Sequence, residues 1–136
     1  MNGDKVKDED WIRFPNFKRS EFDSPDVVGS GNNMRISMLS FLQSMRTDLG
    51  IPISITLGGG FRTYEYHKSQ DSTHEDMSDH TEGLGVDIKC ADSMLRKKII
   101  DYASHYGIKR MGIYDRHIHI GMCHKLPQEV YWVGKS

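Results

Sequence analysis

Two short stretches constrain this chain more than any other feature. In Gly85-Val86-Asp87-Ile88-Lys89 and in His117-Ile118-His119-Ile120-Gly121, apolar and polar residues alternate strictly. That period of two belongs to a β-strand with one face on a core and the other face open. Val86 and Ile88 then face inward on the first strand, and Ile118 and Ile120 on the second. Asp87, His117 and His119 are left on the open face. Whatever this chain folds into must contain a sheet with a carboxylate and two imidazoles on one surface.

The strands are expected to span 84–90 and 117–122, with a partner at 110–114 joined to the latter through Asp115-Arg116 as a hairpin. Residues 51–57, alternating and β-branched, read as a further strand that ends in Gly58-Gly59-Gly60. Residues 130–133 either add an edge strand or pack on the core. Apolar residues at 34, 38, 41, 42, 45 and 49 follow a period near 3.6, so 34–49 is expected to be an amphipathic helix, with Asn33 as its cap and Gly50 after its last residue. A second helix over 93–106 turns Met94, Leu95, Ile99, Tyr102 and Ala103 inward and stops at Gly107. Residues 64–82 are polar without a sustained period, a long loop or a short helix plus loop; loops of that length are usually functional or mobile. Residues 1–16 are expected to be extended or flexible, and 17–136 to form a single domain. The economical arrangement is α+β: a small, mainly antiparallel sheet with two principal helices on one face and the polar residues on the other.

Composition excludes several roles. A chain of 136 residues can bury one core without disulfides. The formal charge of -1 gives no general attraction to nucleic acid or anionic membrane. No run reaches the apolar length of a membrane-spanning helix, and the charged start MNGDKVKDED has no signal-peptide core. Cys90 and Cys123 do not make a Cys-x-x-Cys zinc site. They are read as two buried thiols, with a bridge between neighbouring strands as the alternative.

His80 arrives from the long loop just before the Asp87 strand. Two of the three histidines His80, His117 and His119, with Asp87 and an open position, would make a set typical of catalytic zinc. The run from His74 to His80 is not His-Glu-x-x-His: the second histidine falls two residues too late to share a helix face with the first.

The segment Ser78-Asp79-His80-Thr81-Glu82-Gly83-Leu84-Gly85-Val86-Asp87-Ile88 resembles the Ser-x-His-x-x-Gly-x-Ala-x-Asp motif of the D-alanyl-D-alanine metallopeptidases. That family includes D,D-carboxypeptidases, vancomycin-resistance D,D-dipeptidases and phage L-alanyl-D-glutamate endolysins, and shares its fold with the hedgehog signalling domain. Gly60-Phe61-Arg62-Thr63, Gly112-Ile113-Tyr114 with His117-Ile118-His119, and Phe17-Lys18-Arg19-Ser20-Glu21-Phe22 are similar to further family landmarks, in the family's order.

The resemblance implies that His80, Asp87 and His119 are zinc ligands and that Arg62 steadies the scissile carbonyl as it becomes an oxyanion. It implies that Ser78 binds the substrate's carboxylate or braces a ligand; a loop cap is the alternative. The general base is open. Many members carry an acid three residues before the last zinc histidine, where this chain has Arg116, which cannot accept a proton. Asp115 is favoured and His117 is the other candidate. Gly121 also replaces an acid common in the family two positions after that histidine, and the loop 64–77 carries the extra His67 and His74.

The expected function is therefore a zinc-dependent hydrolase of peptidoglycan stem peptides, of D,D-carboxypeptidase or endopeptidase type, made in the cytoplasm without a signal peptide. It would act in cell wall degradation after holin-dependent release or carriage in a phage particle, with no nucleic-acid partner and no membrane insertion. The rival reading is a catalytically inactive, zinc-bearing binding or virion module of the same fold.

Overall fold

A computed structural model describes residues 3–70 and 77–135. Helix α1 spans Ile36–Leu49, α2 Tyr64–Gln70 and α3 Ser93–Tyr106. The strands are β1 (Gly85–Lys89), β2 (Arg110–Ile113), β3 (His117–Gly121) and β4 (Val130–Val133). They form one sheet in the order β1-β3-β2-β4. The β1–β3 and β3–β2 pairs are antiparallel, and β4 joins the edge of β2 in parallel. The fold is the expected α+β, with β4 making the sheet mixed.

The predicted alternation sets the two faces. Val86, Ile88, Met111, Ile118 and Ile120 are completely buried and meet Met38, Leu42 and Met45 of α1 and Ile99 and Ala103 of α3 in one core. Burying each aliphatic side chain is worth about 1.5–3 kcal/mol. Helix α3 begins where Asp92 accepts a hydrogen bond from the Leu95 N–H at 2.8 Å, satisfying one orphan donor of the first turn.

Two expectations need correction. The segment 51–57 is not a regular strand: it makes a single antiparallel bridge, Ile55 to Ile88, at the outer edge of β1. A turn in which the Gly59 N–H donates to the Thr56 carbonyl (2.8 Å) bulges the segment, so that the Thr56 N–H and the Gly59 carbonyl both bond the backbone of Asp87 and the regular ladder is interrupted. Asn33 does not cap α1. It closes a 3-10 turn over Ser30–Asn33, and Arg35 stays extended to bridge Lys5, so the helix starts two residues later than its apolar stripe. Cys90 and Cys123 are the two buried free thiols expected, and not the alternative bridge. The antiparallel β1–β3 register places residue 90 beyond the His117 end and 123 beyond the Gly85 end, too far apart to bridge.

The stretch before residue 17 contributes Val6 and Phe14 to the core, and Trp11 lies 5.7 Å from Phe22. A 3-10 helix over Asp8–Arg13 carries it there. No helix among the described residues is long and apolar enough to cross a membrane.

Candidate metal centre

On the second face the sheet register lines up one row across all four strands: Asp87, His119, Gly112 and Trp132. The antiparallel pairing of β1 with β3 puts Asp87 directly opposite His119, and His80 enters from the loop before β1. One potential ligand atom from each of His80, Asp87 and His119 lies within 4.8 Å of the others, and all three residues are buried. His80 Nε2 is 3.3 Å and His119 Nδ1 2.9 Å from the same oxygen, Asp87 Oδ1. These are the three residues that the family resemblance implied, and the tertiary structure gathers them.

Each histidine is held by its other ring nitrogen. His80 Nδ1 donates to the Gly60 carbonyl at 2.9 Å, leaving Nε2 to face Asp87. The Arg62 N–H in turn donates to the His80 carbonyl, and the Phe61 N–H to that of Phe22. The Gly-Phe-Arg-Thr and Phe-Lys-Arg-Ser-Glu-Phe landmarks thus meet as a brace behind His80. His119 Nε2 lies 2.8 Å from Asp79 Oδ2.

The electrostatics follow from burial and partners. Burial pushes the Asp87 carboxyl up, but the neighbouring His80 and His119 outweigh it and hold the group well below the usual carboxylate range. Burial holds His80 neutral against the pull of Asp87. Burial also opposes charge on His119, yet hydrogen bonds to Asp79 and Asp87 win and raise it to about 9. The centre is therefore a place where carboxylates stabilise positive charge. Two imidazole nitrogens and a carboxylate oxygen, closely spaced and with an open side, suit zinc.

The remaining expected residues surround this cluster. Arg62 donates from Nη2 to Asp87 Oδ2 (3.1 Å) and from Nε to the Gly58 carbonyl (2.7 Å), so it grips the carboxylate oxygen turned away from the histidines. Ser78 exchanges hydrogen bonds with Thr81, donating its N–H to Thr81 Oγ1 and accepting the Thr81 N–H on its hydroxyl. That is a turn cap, although the residue still borders the cleft. His117 Nε2 is 3.9 Å from Asp87 Oδ1, and its ring stacks on Tyr114 at 4.2 Å. Asp115 is exposed on the hairpin turn and is not among the residues that line the cleft. His67 is buried and borders the cleft from α2; His74 lies outside the described residues.

The cleft above the cluster encloses about 740 Å3, enough for a short peptide segment. Trp132 forms one wall. Its indole lies over Gly112, where a Cβ would be 2.6 Å from Nε1, and it donates to the Tyr114 hydroxyl at 3.0 Å. Its ring is 5.5 Å from that of His119.

Sequence reasoning missed Asp79, Arg110 and Trp132. Asp79 is 2% exposed and takes a fork from Arg110, with Nη2 on Oδ2 at 3.0 Å and Nε 3.2 Å from both oxygens. Burial alone would raise its pKa, but His119 and Arg110 outweigh burial and lower it. A signal was present: an acid stands beside His80, while the acid expected at 121 is a glycine.

A family model described as Peptidase M15 matches residues 15–121. No curated protein and no solved structure matches the chain. The matched span contains α1 to α3, β1 to β3 and every residue of the His-Asp-His cluster; β4 and Trp132 lie beyond it.

Proposed function

Because the chain belongs to the Peptidase M15 family, whose members are zinc metallopeptidases, we propose that it hydrolyses peptide bonds of the peptidoglycan stem, with His80 Nε2, Asp87 Oδ1 and His119 Nδ1 as the zinc ligands. The observation that carries the reading is the convergence of these three atoms on the floor of an open cleft. The peptidoglycan assignment is supported by the likeness of 78–88 to the D-alanyl-D-alanine metallopeptidase motif. Zinc at this position would polarise the scissile carbonyl and make a water acidic enough to attack near neutral pH.

The chain's own groups do the rest. His117 takes the proton of the attacking water: it borders the cleft on the ligand face, within 3.9 Å of Asp87, whereas Asp115 is on the outer turn. Arg62 sets its positive charge beside the cluster, where an oxyanion would develop, and keeps Asp87 in one rotamer through Oδ2. Trp132 and the Tyr114–His117 stack give the substrate an aromatic wall. Ser78 offers its hydroxyl at the cleft rim to the substrate's carboxylate.

The test is digestion of purified peptidoglycan, with and without a chelator and after returning zinc, with mass spectrometry of released fragments. Cleavage in the stem peptide that the chelator abolishes and zinc restores is expected. Arg62→Ala should lower turnover by about 10²–10³-fold, and His117→Gln should lower it more than Asp115→Asn. Loss in Asp115→Asn alone would move the base to Asp115. Zinc-loaded protein that cleaves no wall tried would leave the binding-module reading in possession.

A further inference from the structure

We propose that Asp79 is a positioning residue that fixes the ring of His119, and that the glycine at 121 exists to admit it. The inference rests on the reading of His119 as a zinc ligand through Nδ1.

A histidine has two ring nitrogens, and a ring turned over by half a revolution exchanges them. Something must therefore decide which one faces the metal position. Here Asp79 Oδ2 sits 2.8 Å from His119 Nε2 and receives its proton, which leaves Nδ1 turned toward Asp87 Oδ1 at 2.9 Å. A carboxylate in this position both orients the imidazole and raises its basicity as a ligand.

Asp79 is itself fixed from three sides. Arg110 grips both of its oxygens, the Cys123 N–H donates to Oδ1 at 3.1 Å, and the side chain is almost fully buried. Arg110 is anchored in turn by donating to the Pro127 carbonyl at 2.7 Å and by lying 5.1 Å from the Trp132 ring. The chain runs from Trp132 through Arg110 and Asp79 to His119, so the C-terminal strand reaches the centre without touching it as a ligand.

Space for this arrangement comes from two glycines that face each other across β1 and β3. A Cβ at Gly121 would lie 2.5 Å from Asp79 Cγ and 2.7 Å from Oδ1, and one at Gly85 would lie 2.6 Å from Asp79 Cβ. Any side chain at 121 would expel the carboxylate. The Asp79-His80 dipeptide consequently delivers two things at once, a ligand and the partner of the opposite ligand, and ties the two histidines into one unit.

The experiment compares wild type, Asp79→Ala and the isosteric Asp79→Asn, each loaded with zinc. The zinc dissociation constant is read by competition with a chromophoric chelator. Long-range proton–nitrogen NMR reports which nitrogen of His119 carries hydrogen. Wild type is expected to hold one zinc and to show a slowly exchanging Nε2–H on His119. Asp79→Ala should bind zinc about 10–100-fold more weakly, with unchanged stoichiometry and with that proton in fast exchange; Asp79→Asn should fall between. Should Asp79→Ala fail to fold, Asp79→Asn carries the comparison, since it keeps the buried shape. An affinity within threefold of wild type in a folded variant, with the Nε2–H signal unmoved, would overturn the role of Asp79. Wild type that takes up no zinc, like His119→Ala, would instead overturn the metal-site reading on which this one rests.

Discussion

Both faces of the sheet bury side chains, yet they are built on different principles. On one face, Val86, Ile88, Ile118, Ile120 and Met111 are fully enclosed and apolar. On the other, Asp79 is 2% exposed and Asp87 and His119 are 7% exposed, and all three are polar. The first face is held by area removed from water, which is non-directional and tolerates repacking. The second is held by partners: His80 on Gly60, Asp87 on Arg62 and His119, Asp79 on Arg110. Such a network is stable only while each buried polar atom has its match, because an orphaned one bears its full desolvation cost. A single strand residue such as Ile118 or His119 therefore belongs to one regime or the other according to parity alone.

The sharpest way to break the comparison is Asp87→Ala. It removes the one carboxylate shared by both histidines, so zinc affinity should fall by more than about 100-fold, beyond the loss of an outer partner. Peptide hydrolysis should become undetectable, and elemental analysis of the purified variant checks it. Unchanged metal content would show that another carboxylate ligates. Arg110→Met comes next. It leaves Asp79 as a buried charge with half its partners, and should cost about 3–5 kcal/mol in denaturant unfolding. A loss below about 1 kcal/mol would mean the polar face is held by something other than charge pairing.

Ile118→Ala tests the apolar face from the adjacent position. It should cost about 2–5 kcal/mol through the cavity it leaves, while zinc stoichiometry stays at wild type. Metal loss in proportion to stability loss would show that the two faces are not separable. The smallest effect is expected at the edge: Val133 is 84% exposed on β4, and Val133→Ser should shift stability by no more than about 0.5 kcal/mol.

Much of this was legible in the residues. Period-two alternation identified β1 and β3 and the side on which Asp87 and His119 project, because pleating couples sequence parity to direction. The 3.6 period and the flanking glycines marked both long helices. His80 could be selected because a short motif tied it to Asp87. What failed were features that composition and period do not encode. The segment 51–57 has strand composition, but a turn at Thr56–Gly59 interrupts its ladder with β1 after one bridge. The base could not be chosen, since strand alternation does not fix the direction of a turn residue such as Asp115.

The sequence alone determined which residues share the open face and that two imidazoles and a carboxylate would be on or beside it. That information is local, carried by the pleat within five residues. Only the tertiary structure decided that Asp79 would reach His119 across 40 positions, that Arg110 would neutralise it, and that Trp132 would lie over Gly112. Such contacts depend on strand order and on empty volume above glycines. Strand order is fixed by how the whole core packs, and a glycine says that space exists without saying which side chain will fill it.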